Sequence, residues 1–186
     1  MFGPKHYVPI LRWKQGERLA LKALRKGDRE WLTPLIEIPR KMFEAPKKQE
    51  NQGADTPEGE PEKERVLFPE AEGQKPDPGQ VLLGAAKGIL GAWHYSRFFL
   101  DLCHVDGHVP QIQTQHPLAF MAAEARRIKL FLVPVTGLSR RAKYQKAVAQ
   151  IAATDGHGIC VRVTYDEVLR STFSAELGDC VEAASE

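Results

Sequence analysis

Short apolar segments recur along this chain, and a polar residue stands at or near the end of each. Five of these segments are rich in β-branched and aromatic residues, as buried strands are: residues 7–13, 32–38, 98–103, 130–135 and 159–163. Stretches with apolar residues at helical spacing follow most of them. Because parallel strands are joined through helices, the pattern predicts an α/β fold made of parallel β/α units.

Helices are expected between and after these strands, over residues 17–26, 81–96, 116–129, 139–153 and 164–173. Gly27 is expected to end the first helix, and Ser139 and Thr164 are expected to be the N-caps of the last two helices. Five parallel strands form either an open sheet or an incomplete (β/α)8 barrel. A complete barrel typically takes about 250 residues, and we expect that 186 residues do not close one.

Composition changes sharply between residues 41 and 80, which are rich in Pro, Glu, Lys, Gln and Gly. A segment this polar cannot bury a face, so we predict a flexible insertion in which Val66, Leu67 and Phe68 form an apolar island. The predicted organisation is therefore first β/α units over residues 1–40, the insertion over 41–80 and the remaining units of the same domain over 81–173. Residues 174–186 are a tail with no clear partner.

Charge and cysteine content argue against several classes of protein. Lys and Arg total 26 against 24 Asp and Glu, a net charge of +2, which argues against a dedicated, strongly basic nucleic-acid binder. The three cysteines have no CxxC spacing, which favours reduced thiols in a cytoplasmic protein. Neither a signal-peptide h-region nor a run of about 18 apolar residues is present, so no membrane association is expected.

Charged residues in or after the predicted strands are the main candidates for chemistry. Lys14, Glu37, Asp101 and Arg162 would meet at the carboxyl edge of a parallel sheet, where active sites of such folds lie. One interpretation is catalytic, with Mg²⁺ or Mn²⁺ on Glu37 and Asp101 and a phosphate on Lys14 and Arg162. The other is an ionic network in which these buried charges satisfy one another.

Two further clusters have a functional and a plainer interpretation. Residues 103–108 contain Cys, His, Asp and His, which are metal ligands, but a solvated loop is the better prediction because no second ligand cluster completes a common zinc spacing. Arg140, Arg141 and Lys143 stand at a predicted helix start. They are candidates for binding phosphate or nucleic acid, and a solvated helix face is the alternative.

The order of several motifs resembles the phage beta protein family. The motifs are FGPKHYVPILRWKQGERLALKAL, TPLIEIP, FFLDL, PVTGLSR and DGHGICVRVT, and they resemble the N-terminal half of longer family members. The resemblance implies a (β/α) barrel-like fold and no established activity. The matching positions are Lys14, Gly16, Glu17, Glu37, Asp101, Thr136, Gly137 and Arg162.

Three functions stay open on the sequence alone. The first is a phage- or defence-related interaction protein, for which the exposed edges of an incomplete barrel predict a homo-oligomer or a protein partner. The second is a metal-dependent phosphodiester hydrolase that uses the candidates at the strand ends. The third is a nucleic-acid-binding protein that uses the basic cluster at residues 140–143.

Overall fold

The structure is a computed structural model that describes residues 3–45, 75–94 and 96–184. Five parallel strands form one sheet in the order in which they occur in the chain. They are β1 (Ile10–Arg12), β2 (Leu35–Glu37), β3 (Arg97–Asp101), β4 (Phe131–Thr136) and β5 (Cys160–Val161). The predicted α/β class and the open parallel sheet of five strands are therefore confirmed.

Seven α-helices accompany the sheet in the described residues. They are α1 (Gln15–Ala23), α2 (Lys26–Arg29), α3 (Pro78–Trp93), α4 (Pro117–Arg127), α5 (Ala142–Asp155), α6 (Tyr165–Val168) and α7 (Phe173–Glu182), with a short 3-10 helix at Arg40–Phe43 after β2. None of the described helices is long and apolar enough to cross a membrane.

One face of the sheet packs against the helices. Ile36, Leu100 and Leu132 point to this side and join a large apolar cluster with α3, α4 and α5. Sequential strand order keeps the connecting helices on one side, because each right-handed crossover returns the chain in the same sense. Most of the core therefore lies between the sheet and one layer of helices.

The other face carries a smaller apolar cluster. Leu35, Phe99, Val133 and Val135 form it, with Cys160 packed against them. Side chains alternate along a strand, so Glu37 and Asp101 share this face with Leu35 and Phe99. The second face is thus apolar along its middle and charged at its carboxyl end.

Several predicted boundaries are wrong for identifiable local reasons. Gly27 does not end a helix but lies inside α2, because the chain turns at Leu24 and Arg25 and starts again. Helix α3 begins at Pro78, within the segment predicted as an insertion, because the Asp77 side chain accepts a hydrogen bond from the Gly79 N–H (3.0 Å). Residues 46–74, with the predicted apolar island, lie outside the described residues.

The carboxyl-terminal part also differs from the prediction. Helix α5 starts at Ala142, three residues after Ser139, whose side chain instead hydrogen-bonds to Glu167. Thr164 is the N-cap of a helix, as predicted, but the single helix expected over residues 164–173 is two shorter helices, α6 and α7. The predicted tail is helical as far as Glu182.

Candidate functional site

Two buried carboxylates stand side by side at the carboxyl edge of the sheet. Glu37 on β2 is in register with Asp101 on β3, and Arg12 on β1 is in register with Glu37. Asp101 is fully buried and Glu37 is 4% exposed. A carboxylate removed from water is costly unless hydrogen-bond donors surround it, so the partners of these two groups define the site.

Asp101 is held by two arginines and a backbone amide. Arg140 Nη2 donates to both carboxylate oxygens, at 3.1 Å to Oδ1 and 2.9 Å to Oδ2. Arg162 Nη1 donates to Oδ2 at 3.1 Å, and the Cys103 N–H donates to Oδ1 at 2.9 Å. Both oxygens are therefore engaged, and Asp101 organises the loops that follow β3, β4 and β5.

Glu37 shares one of these arginines and faces a histidine. Arg162 Nη1 donates to Oε1 at 2.5 Å, while Oε2 lies 3.1 Å from His104 Nε2 and 3.8 Å from Arg12 Nε. Burial alone would raise the pKa of the Glu37 carboxyl, but the hydrogen bonds from Arg162 and His104 outweigh it and lower the pKa below its usual value. Arg162 thus bridges both carboxylates through one nitrogen.

Local backbone geometry brings the two arginines to the acids. The Arg162 N–H donates to the Thr136 carbonyl (2.9 Å), which holds the end of β5 beside the end of β4. Gly137 follows directly, and a Cβ there would stand 2.7 Å from the Arg162 carbonyl oxygen, so only glycine fits without a shift. The Arg140 guanidinium lies over the Tyr144 ring, 5.5 Å from its centroid, before it reaches Asp101.

Tyr144 fixes the chain on the other side of Asp101. Its ring is fully buried, and its hydroxyl oxygen accepts a hydrogen bond from the Leu102 N–H at 3.1 Å. Burial, together with the negative charge of Asp101, raises the pKa of the Tyr144 hydroxyl, which keeps it neutral. Helix α5 thereby positions the first residue after β3.

A pocket of about 550 Å³ opens at the ends of β1, β2 and β3. We call it the basic pocket; its lining residues are Arg12, Lys14, Pro39, Arg40, Lys41, Cys103, His104 and His108. Four of them are cationic, two are histidines and none is acidic. Lys14 is thus in the pocket wall, and helix α1 begins at the residue after it.

The basic cluster predicted at residues 140–143 does not act as one group. Arg140 turns inward to Asp101, whereas Arg141 and Lys143 line a second cavity of about 410 Å³ with Asp106 and His116. The Arg141 guanidinium packs so closely on Gly107 that a side chain there would collide with it. These cations therefore serve two separate places, and the phosphate or nucleic-acid role of residues 140, 141 and 143 stays a prediction.

Possible metal ligands also meet at the inner wall of the basic pocket, where the buried Glu37 carboxylate lies behind the lining residue His104. One ligand atom each from Glu37, Cys103 and His104 lies within 4.8 Å of the other two. Asp101, which the sequence paired with Glu37 as a Mg²⁺ or Mn²⁺ site, has guanidinium groups on both of its oxygens. Metal binding at that pair stays a prediction, and an ion there would have to displace an arginine.

Sequence reasoning missed several residues of this site. The first strand was predicted over residues 7–13, with Lys14 as the polar residue that follows it, but β1 ends at Arg12, which is the residue in register with Glu37. Cys103 and His104 were considered as metal ligands but a solvated loop was preferred, and both do lie in the turn after β3, next to the strand end where the site was expected. That position was the signal that could have found them.

Comparisons with known proteins identify a family and nothing more specific. A search of curated proteins found no match, and a search of solved structures found none either. The family model described as Beta protein matches residues 7–185, nearly the whole chain. The chain belongs to the beta protein family.

Proposed function

We propose that this protein binds a phosphate-bearing small molecule in the basic pocket. The observation that carries the proposal is the lining of that pocket, which joins Arg12, Lys14, Arg40 and Lys41 with two histidines and no carboxylate. Arginine forks and lysine ammonium groups are the side chains that bind phosphate oxygens most strongly. A volume of about 550 Å³ suits a nucleotide-sized ligand better than a lone ion.

The charge distribution behind the pocket supports this proposal. The carboxylates of Glu37 and Asp101 are matched by the guanidinium groups of Arg140 and Arg162. In the described part of the chain, Arg40 pairs with Glu44 (3.3 Å) and Arg12 with Glu37 (3.8 Å), but both arginine side chains are more than half exposed, so these pairs are weak. The pocket wall thus keeps positive charge that an anion can neutralise.

The hydrolase predicted from the sequence is a narrower version of the same proposal. Lys14 would bind the phosphate as expected, whereas Arg162 is already committed to two carboxylates. Glu37, with its lowered pKa, is ionised at neutral pH and cannot donate a proton there as a general acid. The proposal is therefore that the protein binds a phosphate compound. Hydrolysis of that compound would have to be demonstrated separately, by an activity assay.

Calorimetric titration with inorganic pyrophosphate and with adenosine diphosphate tests this proposal. Lys14→Ala and Arg12→Ala should each weaken binding about tenfold or more, because each removes a charge-assisted contact. Lys26→Ala is the matched control, since this exposed lysine lies on α2 outside the pocket, and it should bind as the unmodified protein does. Equal affinity of all three variants would contradict the proposal.

A second candidate function is protein–protein interaction through the sheet edge. Strand β1 pairs only with β2 among the described strands, and Tyr7 and Ile10 beside its free edge are 64% and 53% exposed. An unpaired, apolar edge strand is a template for pairing with another chain. This candidate accommodates the homo-oligomer or protein partner and the phage-related role that the family resemblance implied.

Light scattering at two protein concentrations tests the second candidate. A dimer or larger particle is expected, and Ile10→Lys should shift it toward monomer because a lysine on an edge strand opposes pairing. Leu19→Lys is the control, since Leu19 on α1 is similarly exposed (58%) but lies away from the edge. A monomer at both concentrations would rule out self-association and leave only a different protein as partner.

A further inference from the structure

We propose that Glu37, Cys103 and His104 bind a late first-row transition-metal ion, with Zn²⁺ as the best fit, at the inner wall of the basic pocket. One carboxylate oxygen, the thiol sulfur and one imidazole nitrogen lie within 4.8 Å of one another. The ligand set differs from the Glu37–Asp101 pair expected from the sequence. This inference does not rest on phosphate binding, because the metal is tested alone.

The separation of the three ligand atoms is close to what a metal requires. Zinc bonds of about 2.0–2.3 Å in a tetrahedral arrangement place ligand atoms about 3.3–3.7 Å apart. His104 Nε2 and Glu37 Oε2 are already 3.1 Å apart. Because none of the three separations exceeds 4.8 Å, the ligand atoms have to approach one another by no more than about 1 Å to reach the separations that zinc requires.

The chemistry of the donor set selects among metals. Thiolate sulfur and imidazole nitrogen favour Zn²⁺ and its neighbours, whereas Mg²⁺ and Mn²⁺ prefer carboxylate, carbonyl and water oxygens. When the ion binds, the Cys103 sulfur exchanges its proton for a metal bond and that proton passes to solvent, while the neutral His104 ring carries its proton on Nδ1 so that Nε2 is free to bind the metal. The resulting thiolate and the Glu37 carboxylate then carry the two negative charges that a divalent ion needs.

Neighbouring groups already hold the ligands in place. Arg162 donates to Glu37 Oε1, which leaves Oε2 directed at His104. The Cys103 N–H is tied to Asp101 Oδ1 at 2.9 Å, which fixes the first turn of the loop that carries both Cys103 and His104. Hydrogen bonds of this kind orient metal ligands and typically account for about 10–100-fold in metal affinity.

Three protein ligands leave one tetrahedral position for a fourth. Cys103 and His104 line the basic pocket, so the fourth position faces solvent or His108, which lines the same pocket. Sites with three protein ligands and an accessible fourth position are the type that zinc enzymes use, whereas purely structural zinc is enclosed by four. The location therefore fits a metal that meets a pocket ligand.

Cobalt titration of the chelator-treated full chain tests the site, because Co²⁺ takes zinc positions and reports its ligands by absorption. We expect a thiolate-to-cobalt charge-transfer band with visible bands of tetrahedral intensity, both abolished by added Zn²⁺ and unaffected by Mg²⁺. Cys103→Ser should remove the charge-transfer band, and His104→Ala should weaken binding at least about 100-fold. The controls Cys160→Ser and His94→Ala should behave as the unmodified protein does.

Thiol alkylation of the unmodified protein gives a second readout that needs no variant to fold. Zn²⁺ should slow alkylation of Cys103 while leaving the rates of Cys160 and Cys180 unchanged, as mass mapping of the three free thiols can show. The proposal is overturned if Co²⁺ binds without a thiolate band, if Cys103→Ser binds as well as the unmodified protein, or if Zn²⁺ protects no thiol.

Discussion

The two faces of the sheet use the same strands for different purposes. On the helix-covered face, Ile36 and Leu100 are fully buried among apolar side chains. On the opposite face, the next residue along each of these strands is Glu37 or Asp101, held by arginines that follow β4 and β5. Alternation of side chains therefore places a packing residue and a site residue at consecutive positions of one strand.

The two kinds of burial respond differently to mutation. Apolar contacts are non-directional, so a lost side chain on the helix-covered face costs packing but leaves its neighbours satisfied. An ionic network is directional, and removing one member leaves the others buried without compensation. Adjacent residues Leu100 and Asp101 make this comparison within a single strand.

The largest expected effect is that of Asp101→Ala. The change leaves Arg140 and Arg162 without their shared carboxylate, and breaking a buried ion pair from one side costs about 3–5 kcal/mol. Urea unfolding at neutral pH measures the loss. Removing Arg140 as well should restore part of it, because the double variant no longer buries that guanidinium unpaired.

Leu100→Ala is the matched change on the other face. Deleting a buried leucine side chain costs about 2–5 kcal/mol, so the stability loss overlaps with that of Asp101→Ala. The stability losses caused by Leu100→Ala and by removal of Arg140 should simply add in the double variant, because Leu100 belongs to the other face. Equal coupling of Arg140 to both positions would show that the two faces do not act separately.

Gly137→Ala is expected to have the next largest effect. The new Cβ would stand 2.7 Å from the Arg162 carbonyl oxygen, and a backbone atom cannot move aside as a flexible side chain can. We expect the free energy of unfolding to fall by an amount near the upper end of the range of about 1–3 kcal/mol for overpacking. Arg162 should also be less firmly positioned. Thermal unfolding and the affinity for pyrophosphate measure the two consequences.

Gly91→Ala is the control for this substitution. Gly91 lies near the end of α3 with open space where a Cβ would be, and alanine there should stabilise the helix by about 0.5–1 kcal/mol. The same chemical change should thus have opposite signs at the two positions. A destabilisation of similar size at both would mean that the close approach at Gly137 is not the cause.

Tyr144→Phe should reduce the free energy of unfolding by less than Asp101→Ala or Gly137→Ala does. It removes only the hydroxyl that accepts the Leu102 N–H, and a buried donor without an acceptor costs about 1–2 kcal/mol. The ring, which lies under the Arg140 guanidinium, is retained. Amide hydrogen exchange at Leu102 should accelerate more than at Leu132, and uniform acceleration at both would point to general loosening instead.

Alternation along the strands was sufficient to predict the part of the site that lies in or directly after them. Glu37, Asp101 and Arg162 were placed on the faces of Leu35, Phe99 and Cys160, and the structure does bring their charged groups together. Parallel pairing followed from the helices between strands. In both cases the information is local. The faces follow from the two-residue alternation along each strand, and the parallel pairing follows from the helices that connect consecutive strands.

The rest of the site depends on how loops cross the sheet edge, which no local pattern encodes. Arg140 is 39 residues from Asp101 in the chain and reaches it only because α5 starts at Ala142 and leaves Arg140 in the preceding turn. Arg12 was passed over because the first strand was predicted one residue too long at its end. His104 and Cys103 belong to a turn whose direction depends on Tyr144, far along the chain.

On acidification, the two faces should lose stability at different pH values, and this is the smallest of the expected effects. His116 begins α4 as its N-cap, and its Nδ1 accepts the Leu118 N–H (3.2 Å), which requires an unprotonated nitrogen. Burial lowers the pKa of His116 below the usual 6.5, against the opposing charge of Asp106, and the Tyr144 ring packs on its edge. A depressed pKa means that the stabilisation is complete above pH 6.5 and is lost as pH falls through the lower, folded-state value.

The charged face should respond at lower pH. The pKa of Glu37 is held below the usual 4.5, so its contribution is complete above pH 4.5 and disappears as pH falls further. The free energy of unfolding, measured from pH 7 down to about pH 2.5, should therefore fall first through the loss at α4 and again below pH 4.5. His116→Asn, which keeps a capping acceptor that does not titrate, should remove only the first of these two steps. If the variant instead removed the decline below pH 4.5, the loss at that pH would originate at the α4 cap and the two faces would not be energetically distinct.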